Sequence, residues 1–309
     1  MESEFIAHLR RRLPGHPSLR VGPGDDAAIL RLAEHGECVV TVDMLTDGVD
    51  FRAADVDARR IGRKALAVNL SDLAAMAAQP VAALVALAIP RTAEQRLPEE
   101  ILEGIVELAG RYDVAIAGGD TNTWDGKLVI SVTAIGQPGP HGALLRSGAN
   151  PGERIFVTGP LGGSILGKHF DFEPRIHEAL WLKEHAGATA GIDISDGFTL
   201  DLSRVATESG CGAVVDLQRV PVASAAHELT ATANDGRTAL DHALGDGEDF
   251  ELIVAVPERA AKELDGRQVH GCTLTCVGEF VAEKGLWTRT AGGELQPLEP
   301  RGYEHRWGV

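Results

Sequence analysis

Six aspartates carry the chemistry that this sequence suggests. Each lies in or beside a turn of Gly, Ser or Thr next to an apolar segment; they are Asp26, Asp43, Asp72, Asp120, Asp193 and Asp196. Carboxylates at the ends of buried strands converge on one rim, and two such charges about 4 Å apart repel by roughly 4 kcal/mol at an effective dielectric of 20. A protein that gathers several of them binds cations between them or protonates some. Oxygen ligands without nearby Cys or His suit Mg²⁺, so the pattern indicates metal-assisted phosphoryl chemistry.

The composition is that of an ordinary globular protein with room for two domains. The 309 residues are 44% hydrophobic and 24% charged, close to average usage. The formal net charge of −16 argues against a nucleic-acid partner, which requires a basic face. The sequence has neither a run of about 18 apolar residues nor a basic N-terminal region before an apolar stretch, so we expect no membrane span, no signal peptide and a cytoplasmic location.

Strand-like and helix-like segments alternate along the chain, which predicts an α/β or α+β fold. The predicted strands cover residues 37–43, 81–89, 114–117, 127–136, 154–158, 190–194, 212–217, 250–256 and 273–278. The predicted helices cover residues 57–78, 94–111, 174–184 and 198–209. A stretch rich in Pro and Gly, residues 137–152, is the best candidate for a domain boundary. We therefore predict an N-terminal domain over residues 1–145 and a C-terminal α/β domain over residues 146–309.

Two of the aspartate motifs suit phosphate as well as metal. Gly119 and Asp120 follow a predicted strand, where adjacent glycines let backbone N–H groups approach an anion while Asp120 holds its cation. The run from Asp193 through Ser195 to Asp196 precedes a predicted helix. A strand-to-helix turn offers free N–H groups to phosphate, and the alternative is an ordinary helix N-cap.

A Gly-rich run from Gly162 to Lys168 imitates a phosphate-binding loop, and a predicted strand precedes it. In such a loop the next residue is Ser or Thr, whose hydroxyl binds Mg²⁺, but here it is His169. We therefore expect a turn that lets a helix pack closely on the strand. Two other positions stay open: Arg146 is either a surface charge or a phosphate contact between the domains, and Glu248 lies in either an exposed or a ligand-facing loop.

Taken together and in order, these runs resemble the thiamine-monophosphate kinase family, whose superfamily includes aminoimidazole ribonucleotide synthetase. The resemblance covers nearly the whole chain, and it is carried by residues 24–26 (GDD), 64–76 (KALAVNLSDLAAM), 118–121 (GGDT), 146–149 (RSGA), 192–197 (IDISDG) and 247–252 (GEDFEL). It implies direct, in-line transfer of the γ-phosphoryl group of ATP to thiamine monophosphate, with several Mg²⁺ ions and no dedicated acid or base. It also implies an N-terminal mixed sheet that pairs with a second copy into a dimeric barrel, followed by a C-terminal α/β domain.

The resemblance assigns roles to residues by motif match. The implied metal ligands are Asp26, Thr41, Asp43, Asp72, Asp120, Asp193 and Asp196. The implied ATP contacts are Gly119, Asp120, Arg146 and Ser195. The implied contacts with the acceptor are Asp50, Glu248 and a C-terminal aromatic, for which Trp307 is the first candidate and Tyr303 the second. The implied partners are ATP, thiamine monophosphate and a second copy of the chain, with no nucleic acid and no membrane.

The acceptor end of the implied site departs from the family pattern. Relatives usually carry Gly-x-His-Phe where this chain has Gly48, Val49, Asp50 and Phe51. Asp50 replaces a donor with an acceptor, so either it pairs with the cationic rings of thiamine or the acceptor is a different phosphate. The alternatives are another ATP-using enzyme of the superfamily with a different acceptor and a non-catalytic nucleotide-binding relative.

Overall fold

A computed structural model of the chain describes residues 19–21, 25–32, 36–290 and 292–305. Two β-sheets organise these residues, one in each half of the chain, with helices packed against both. This arrangement agrees with the predicted α/β class, because strands and helices alternate through both halves. No described helix has both the length and the apolar character that a membrane crossing requires.

The N-terminal sheet has six strands with one face covered by two helices. Its strands are β1 (Leu19–Val21), β2 (Ala28–Leu32), β3 (Gly36–Thr46), β4 (Ala78–Pro90), β5 (Ala115–Trp124) and β6 (Val129–Pro138). Their order across the sheet is β1-β2-β3-β6-β4-β5, and only the pair of β4 and β5 is parallel. Helices α1 (Ala58–Ala75) and α2 (Leu97–Arg111) pack on one face, and the opposite face is open.

Helix α1 is buried on almost all sides because the C-terminal half covers the flank that the N-terminal sheet leaves free. Asp57 caps its first turn by accepting a hydrogen bond from the backbone N of Arg59 at 2.8 Å. Its Ala and Leu residues favour helix, and Arg59 and Arg60 in its first turn remain exposed. The polar residues Lys64, Asn69 and Ser71 farther along are buried, where each requires a partner.

The C-terminal half is built on a second sheet in the order β14-β13-β9-β12-β7-β10-β8, with β11 paired to β12. Its strands are β7 (Arg154–Thr158), β8 (Ala190–Asp193), β9 (Gly212–Val215), β10 (Leu252–Val256), β11 (Gln268–Val269), β12 (Cys272–Val281), β13 (Gly285–Arg289) and β14 (Leu295–Pro297). Its helices are α3 (Lys168–Asp171), α4 (Ile176–Trp181), α5 (Phe198–Glu208), α6 (Ser224–Thr232), α7 (Ala239–Gly245) and α8 (Glu258–Leu264). One apolar core packs α1 against both sheets, and a second lies under α5 and α7.

One predicted boundary is wrong in a way that affects the site. The strand predicted to end at Ala117 continues to Trp124, so Gly119 and Asp120 lie inside β5 and not in a turn after it. The parallel pairing with β4 continues through these residues, from Ala82 opposite Ala115 to Pro90 opposite Trp124. Backbone pairing with a long neighbouring strand therefore outweighs the turn preference of two glycines.

Candidate functional site

Carboxylates from three separate parts of the chain meet where α1 crosses the ends of the two sheets. One carboxylate oxygen each from Asp26, Asp72 and Asp193 lie within 4.8 Å of one another. Asp26 precedes β2, Asp72 lies in the last turns of α1 and Asp193 ends β8. The hydroxyl of Thr41 donates to Asp72, and the hydroxyl of Ser71 donates to Asp193 at 2.6 Å. The sequence prediction of a common carboxylate rim is met for these three residues.

Asp43 borders this cluster, and the charges that act on it most strongly are those of Asp50 and Asp26. Its Oδ2 atom is buried and has no hydrogen-bond partner among the described residues. Burial, with the nearby charges of Asp50 and Asp26, raises the pKa of Asp43 to about 6. Burial also raises the pKa of Asp72 well above its usual value, and the charge of Asp43 adds to the rise. Burial and the charge of Asp26 also raise the pKa of Asp193. Such an all-oxygen set fits a hard divalent cation.

Arg146 supplies a positive charge to one edge of the cluster. Its guanidinium donates to both oxygens of Asp26, at 3.0 and 2.9 Å, which is the bidentate geometry of strong Arg–carboxylate pairs. Its backbone N donates to Asp25 at 3.1 Å. Burial raises the pKa of Asp25 to about 6, and the charge of Asp26 contributes. Arg146 is therefore an ion-pair partner of the carboxylate cluster and not a free surface charge; its contact with ATP stays a prediction.

The turn from β8 into α5 is held by an aspartate that the sequence reasoning did not identify. Asp201, in the first turn of α5, accepts hydrogen bonds from the backbone N of Asp196 and of Gly197, both at 3.0 Å. Arg204 contacts the carboxylates of both Asp196 and Asp201. These two N–H groups are already bonded inside the protein, so the predicted phosphate cradle is not free at this point. A carboxylate four residues after the Gly of a strand-to-helix turn is the signal that could have indicated Asp201.

A second group of polar side chains joins the two halves beside the carboxylate cluster. Lys64 of α1 donates from Nζ to the carbonyl oxygen of Asp50 at 2.8 Å and to Oε1 of Glu248 at 2.6 Å. His169 Nδ1 lies 2.9 Å from Lys64 Nζ and 2.9 Å from Oε2 of Glu248. The structure thus brings together the two predicted acceptor contacts through a lysine that sequence reasoning did not select. The sequence feature that could have indicated Lys64 is a charged residue in a helical segment rich in Ala and Leu.

The C-terminal segment passes the same group. The backbone N of Tyr303 donates to the carbonyl of Asp196 at 2.9 Å. Burial raises the pKa of Asp50, and the charge of His305 is among the effects that oppose the rise. Tyr303 itself is 53% exposed. Trp307, the first candidate for an aromatic over the acceptor, lies outside the described residues.

Two predicted site residues, Gly119 and Asp120, lie away from the cluster in a single chain. Asp120 is exposed, and its pairing places it in one row with Ala86, Ser131 and Met44 on the open face of the N-terminal sheet. Asp43 is one residue before Met44, so it points to the opposite, helix-covered face. Strands β3 and β5 are also three strand spacings apart, about 14 Å.

The Gly-rich run from Gly162 to Lys168 is a packing turn, as the sequence analysis expected. A Cβ on Gly162 would lie 2.6 Å from the backbone N of Ala243, so only glycine fits against α7. Both oxygens of Asp249 accept from Gly162 N at 2.9 Å. Lys168 pairs with the buried carboxylate of Glu251 at 2.8 Å.

Comparisons with known proteins agree with this architecture. The family AIR synthase related protein, N-terminal domain, matches residues 24–137, and its C-terminal domain counterpart matches residues 134–288. Thiamine-monophosphate kinase of Rhodopirellula baltica is 44% identical over 99% of this chain and 97% of its own length.

Solved structures show the same likeness. The structure of thiamine-monophosphate kinase from Stenotrophomonas maltophilia is 32% identical, with a TM-score of 0.70 over 95% of this chain and 96% of that one. The structure of AaThiL complexed with AMPPCP and TMP has a TM-score of 0.84 over 99% of this chain and 97% of that one. At 24% identity the second likeness concerns the fold.

Proposed function

Because this chain belongs to the thiamine-monophosphate kinase family of AIR synthase related proteins, we propose that it phosphorylates thiamine monophosphate with ATP, giving thiamine diphosphate and ADP. The observation that carries the proposal is the convergence of Asp26, Asp72 and Asp193 beside Asp43, whose Oδ2 atom is buried without a partner. Both reactants of this transfer are phosphate anions, so neutralising and aligning them accounts for most of the catalysis.

The donor set fits Mg²⁺, which we propose as the cofactor. Carboxylate and hydroxyl oxygens converge there with no Cys or His among the described atoms of the cluster, and Mg²⁺ prefers such hard ligands. The residues that would hold the ions are Asp26, Thr41, Asp43, Asp72, Asp120, Asp193 and Asp196. Bound Mg²⁺ supplies positive charge to the phosphoryl group and to the leaving oxygen.

The chain's own residues would then bind and orient the reactants. Arg146 is positioned at the edge of the cluster, where its guanidinium can exchange Asp26 for an ATP phosphate. Ser195 lies in the turn beyond Asp193, and we propose that its hydroxyl binds an ATP phosphate. The attacking phosphate oxygen of the acceptor is already ionised at neutral pH, so the transfer requires no dedicated base.

We propose that Asp50 and Glu248 face the cationic rings of thiamine. The lysine contact at 2.6 Å and the histidine contact at 2.9 Å hold the Glu248 carboxylate beside Asp50. The quaternary thiazolium ring carries a permanent positive charge that a nearby carboxylate stabilises. An aspartate in place of the family histidine is therefore compatible with this acceptor. Tyr303 and Trp307, the latter outside the described residues, are the aromatic candidates that would cover the acceptor.

A second copy of the chain would complete the site. The open face of the N-terminal sheet exposes apolar side chains, namely Val42, Met44, Val81, Leu84 and Trp124. Contiguous exposed apolar surface marks an interaction site, and two such sheets facing each other form a closed dimer. Asp120 lies on this face, so in the homodimer it and Gly119 would serve the site of the partner subunit.

The test is product formation by the purified protein with ATP, Mg²⁺ and thiamine monophosphate. We expect thiamine diphosphate and ADP in equal amounts by chromatography, and loss of both when the cation is chelated. Binding of a nonhydrolysable ATP analogue without thiamine diphosphate would instead favour a different phosphate acceptor. Absence of nucleotide binding would contradict the kinase function altogether.

A further inference from the structure

Lys64 is a fully buried lysine that the metal chemistry does not use. Its exposed fraction is 0%, and lysines are almost never buried completely unless they are paired. It lies in α1, two turns before the Asp72 position, and is surrounded by apolar residues of the same helix. Burial lowers the pKa of Lys64, and the charge of Glu248 opposes that effect. A buried charge is costly, so the contacts of the Lys64 ammonium indicate its role.

Two oxygen atoms accept hydrogen bonds from the Lys64 ammonium: the carbonyl oxygen of Asp50 at 2.8 Å and Oε1 of Glu248 at 2.6 Å. Nδ1 of His169 lies 2.9 Å from Lys64 Nζ and 2.9 Å from Oε2 of Glu248. One ring nitrogen cannot accept from the ammonium and donate to the carboxylate at the same time, and as a donor to Glu248 it leaves Lys64 with its two oxygen acceptors. Asp50 belongs to the N-terminal half, whereas Glu248 and His169 belong to the C-terminal half, and Lys64 therefore links the two.

The backbone around Glu248 is held in an uncommon conformation. Glu248 has a φ of 62° and Phe250 a φ of 50°, a region that residues other than glycine rarely adopt. Two hydrogen bonds fix the loop: Glu248 N donates to the carbonyl of Ser195 at 2.7 Å, and Ser164 Oγ donates to the carbonyl of Gly247 at 2.9 Å. Strain of this kind persists where the surroundings over-determine it, and it concentrates at ligand-binding sites.

The charges of the group suit a cationic ligand. Burial by itself raises the pKa of Glu248, but the hydrogen bond from His169 and the charge of Lys64 outweigh it and hold that pKa below its usual value. Glu248 is therefore ionised at neutral pH. Glu248 and Asp50 thus place two acidic side chains together beside the proposed acceptor site.

We propose that Lys64 is a positioning residue for the phosphate acceptor: it fixes the Glu248 carboxylate and the Asp50 backbone relative to each other across the junction of the two halves. His169 contacts Oε2, the other oxygen of the Glu248 carboxylate, and helps to hold it in place. The inference rests on the proposed function and deepens it, because it assigns selection of a cationic acceptor to a buried lysine that does not touch the acceptor itself.

Lys64→Met removes the charge and the three donors while keeping an unbranched apolar chain of similar length. We expect KM for thiamine monophosphate to rise about tenfold or more, since hydrogen bonds between charged groups are lost, and KM for ATP to change by less than about twofold. Arg63→Met is the matched control. Arg63 also links α1 to the C-terminal half, through the carbonyls of Phe170 and Phe172 at 2.8 and 2.6 Å, but its described contacts do not include Glu248 or Asp50.

For Arg63→Met we expect a lower thermal midpoint with both KM values unchanged. If Lys64→Met behaves in the same way, or raises both KM values equally, Lys64 has only a structural role and the proposal is wrong. Should Lys64→Met fail to fold, His169→Leu removes the second support of Glu248 with less disturbance, and an unchanged acceptor KM in that variant would also overturn the proposal.

A double variant tests whether Lys64 acts through Glu248. We expect Glu248→Gln to raise the acceptor KM, and Lys64→Met in that background to add nothing further, because the two side chains act as one unit. Full additivity would contradict the proposal. The wild-type assay is performed first: no thiamine diphosphate from the wild-type protein overturns the proposed function and this inference together, whereas normal turnover with an unaffected Lys64→Met overturns the inference alone.

Discussion

Arg146 donates two hydrogen bonds to Asp26, while Oδ2 of Asp43 has no partner among the described residues. The carboxylates of the cluster are thus only partly compensated by the chain itself, and burial raises the pKa of Asp43, Asp72 and Asp193. Active sites commonly keep such uncompensated groups at a cost in stability. Here the folded chain by itself does not neutralise these carboxylates, so we expect them to lower its stability until a cation binds.

Replacing Asp43 with Asn tests this cost. Asn keeps the shape of the side chain but removes the carboxylate charge. Because the pKa of Asp43 is raised to about 6, the ionised carboxylate destabilises the folded state at pH 8. Without divalent cations we therefore expect the free energy of unfolding of the variant to be about 1 to 3 kcal/mol higher than that of the wild type. The stabilisation by Mg²⁺ with a nonhydrolysable ATP analogue should be lost. Urea unfolding measures both effects, with the exposed Asp125→Asn as control. A metal-free Asp43→Asn protein less stable than wild type would contradict the account.

The raised pKa of Asp249 leads to a prediction of how the free energy of unfolding depends on pH. Burial raises its pKa to about 7, so between its ordinary value of 3.8 and 7 the folded state keeps a proton that the unfolded state has lost. The free energy of unfolding therefore falls as pH rises through this range.

Asp249→Asn is neutral at every pH and should remove that part of the dependence. Between pH 5 and pH 8 we expect the wild type to lose roughly 2 to 3 kcal/mol more than the variant. Urea unfolding without divalent cations at both pH values checks this, and Asp125→Asn should follow the wild type. Identical slopes for the wild type and Asp249→Asn would show that Asp249 is ionised in the folded state.

Among the elements, helix α1 is central because it carries both Lys64 and Asp72, and its position depends on a close crossing with α2. A Cβ on Gly62 would lie 1.9 Å from the carbonyl oxygen of Ile101, and a Cβ on Gly104 would lie 1.9 Å from that of Arg59. The two backbones therefore touch where each helix has a glycine. This contact sets how deeply α1 lies between the sheets.

Gly104→Ala should push α1 and α2 apart. Because overpacking a close backbone contact is costly, we expect a loss of about 2 kcal/mol or more in the free energy of unfolding. Gly110→Ala is a control in the same helix, since a Cβ there has nothing within 4 Å; it should be neutral or stabilise by about 0.5 kcal/mol. Equal effects of the two substitutions in urea unfolding would mean that the crossing does not constrain α1.

For the whole molecule, the proposed role of Asp120 in metal binding depends on assembly, because Asp120 lies on the other side of its own sheet from the carboxylate cluster. Pairing places Asp120 in the row of Met44 on the open face, whereas Asp43 points to the helices. The apolar side chains on this face would be buried if two copies packed face to face. Assembly would then decide both the stability of the sheet and the completeness of the site.

Heterodimers of two inactive variants test this arrangement. Asp120→Asn and Asp26→Asn should each abolish turnover without unfolding the protein. In a purified heterodimer of the two, one site keeps both aspartates if Asp120 acts in the partner's site, so we expect about half of the wild-type activity. Heterodimers of Asp26→Asn with Asp43→Asn are the control and should stay inactive, because each site then carries one substitution. No recovery in the first pair, or an active Asp120→Asn protein, would refute the shared site.

The sequence by itself determined the residue types, their order and most of the strands, because apolar runs between Gly turns leave few alternatives. It thereby indicated the oxygen-rich set around Asp26 and Asp72. Only the tertiary structure decided which side chains meet: Ser71 and Asp193, for example, are 122 residues apart and 2.6 Å from each other. Burial of Lys64 required the C-terminal half to cover α1, and the face on which Asp120 lies required the strand register, since a shift by one residue would reverse it.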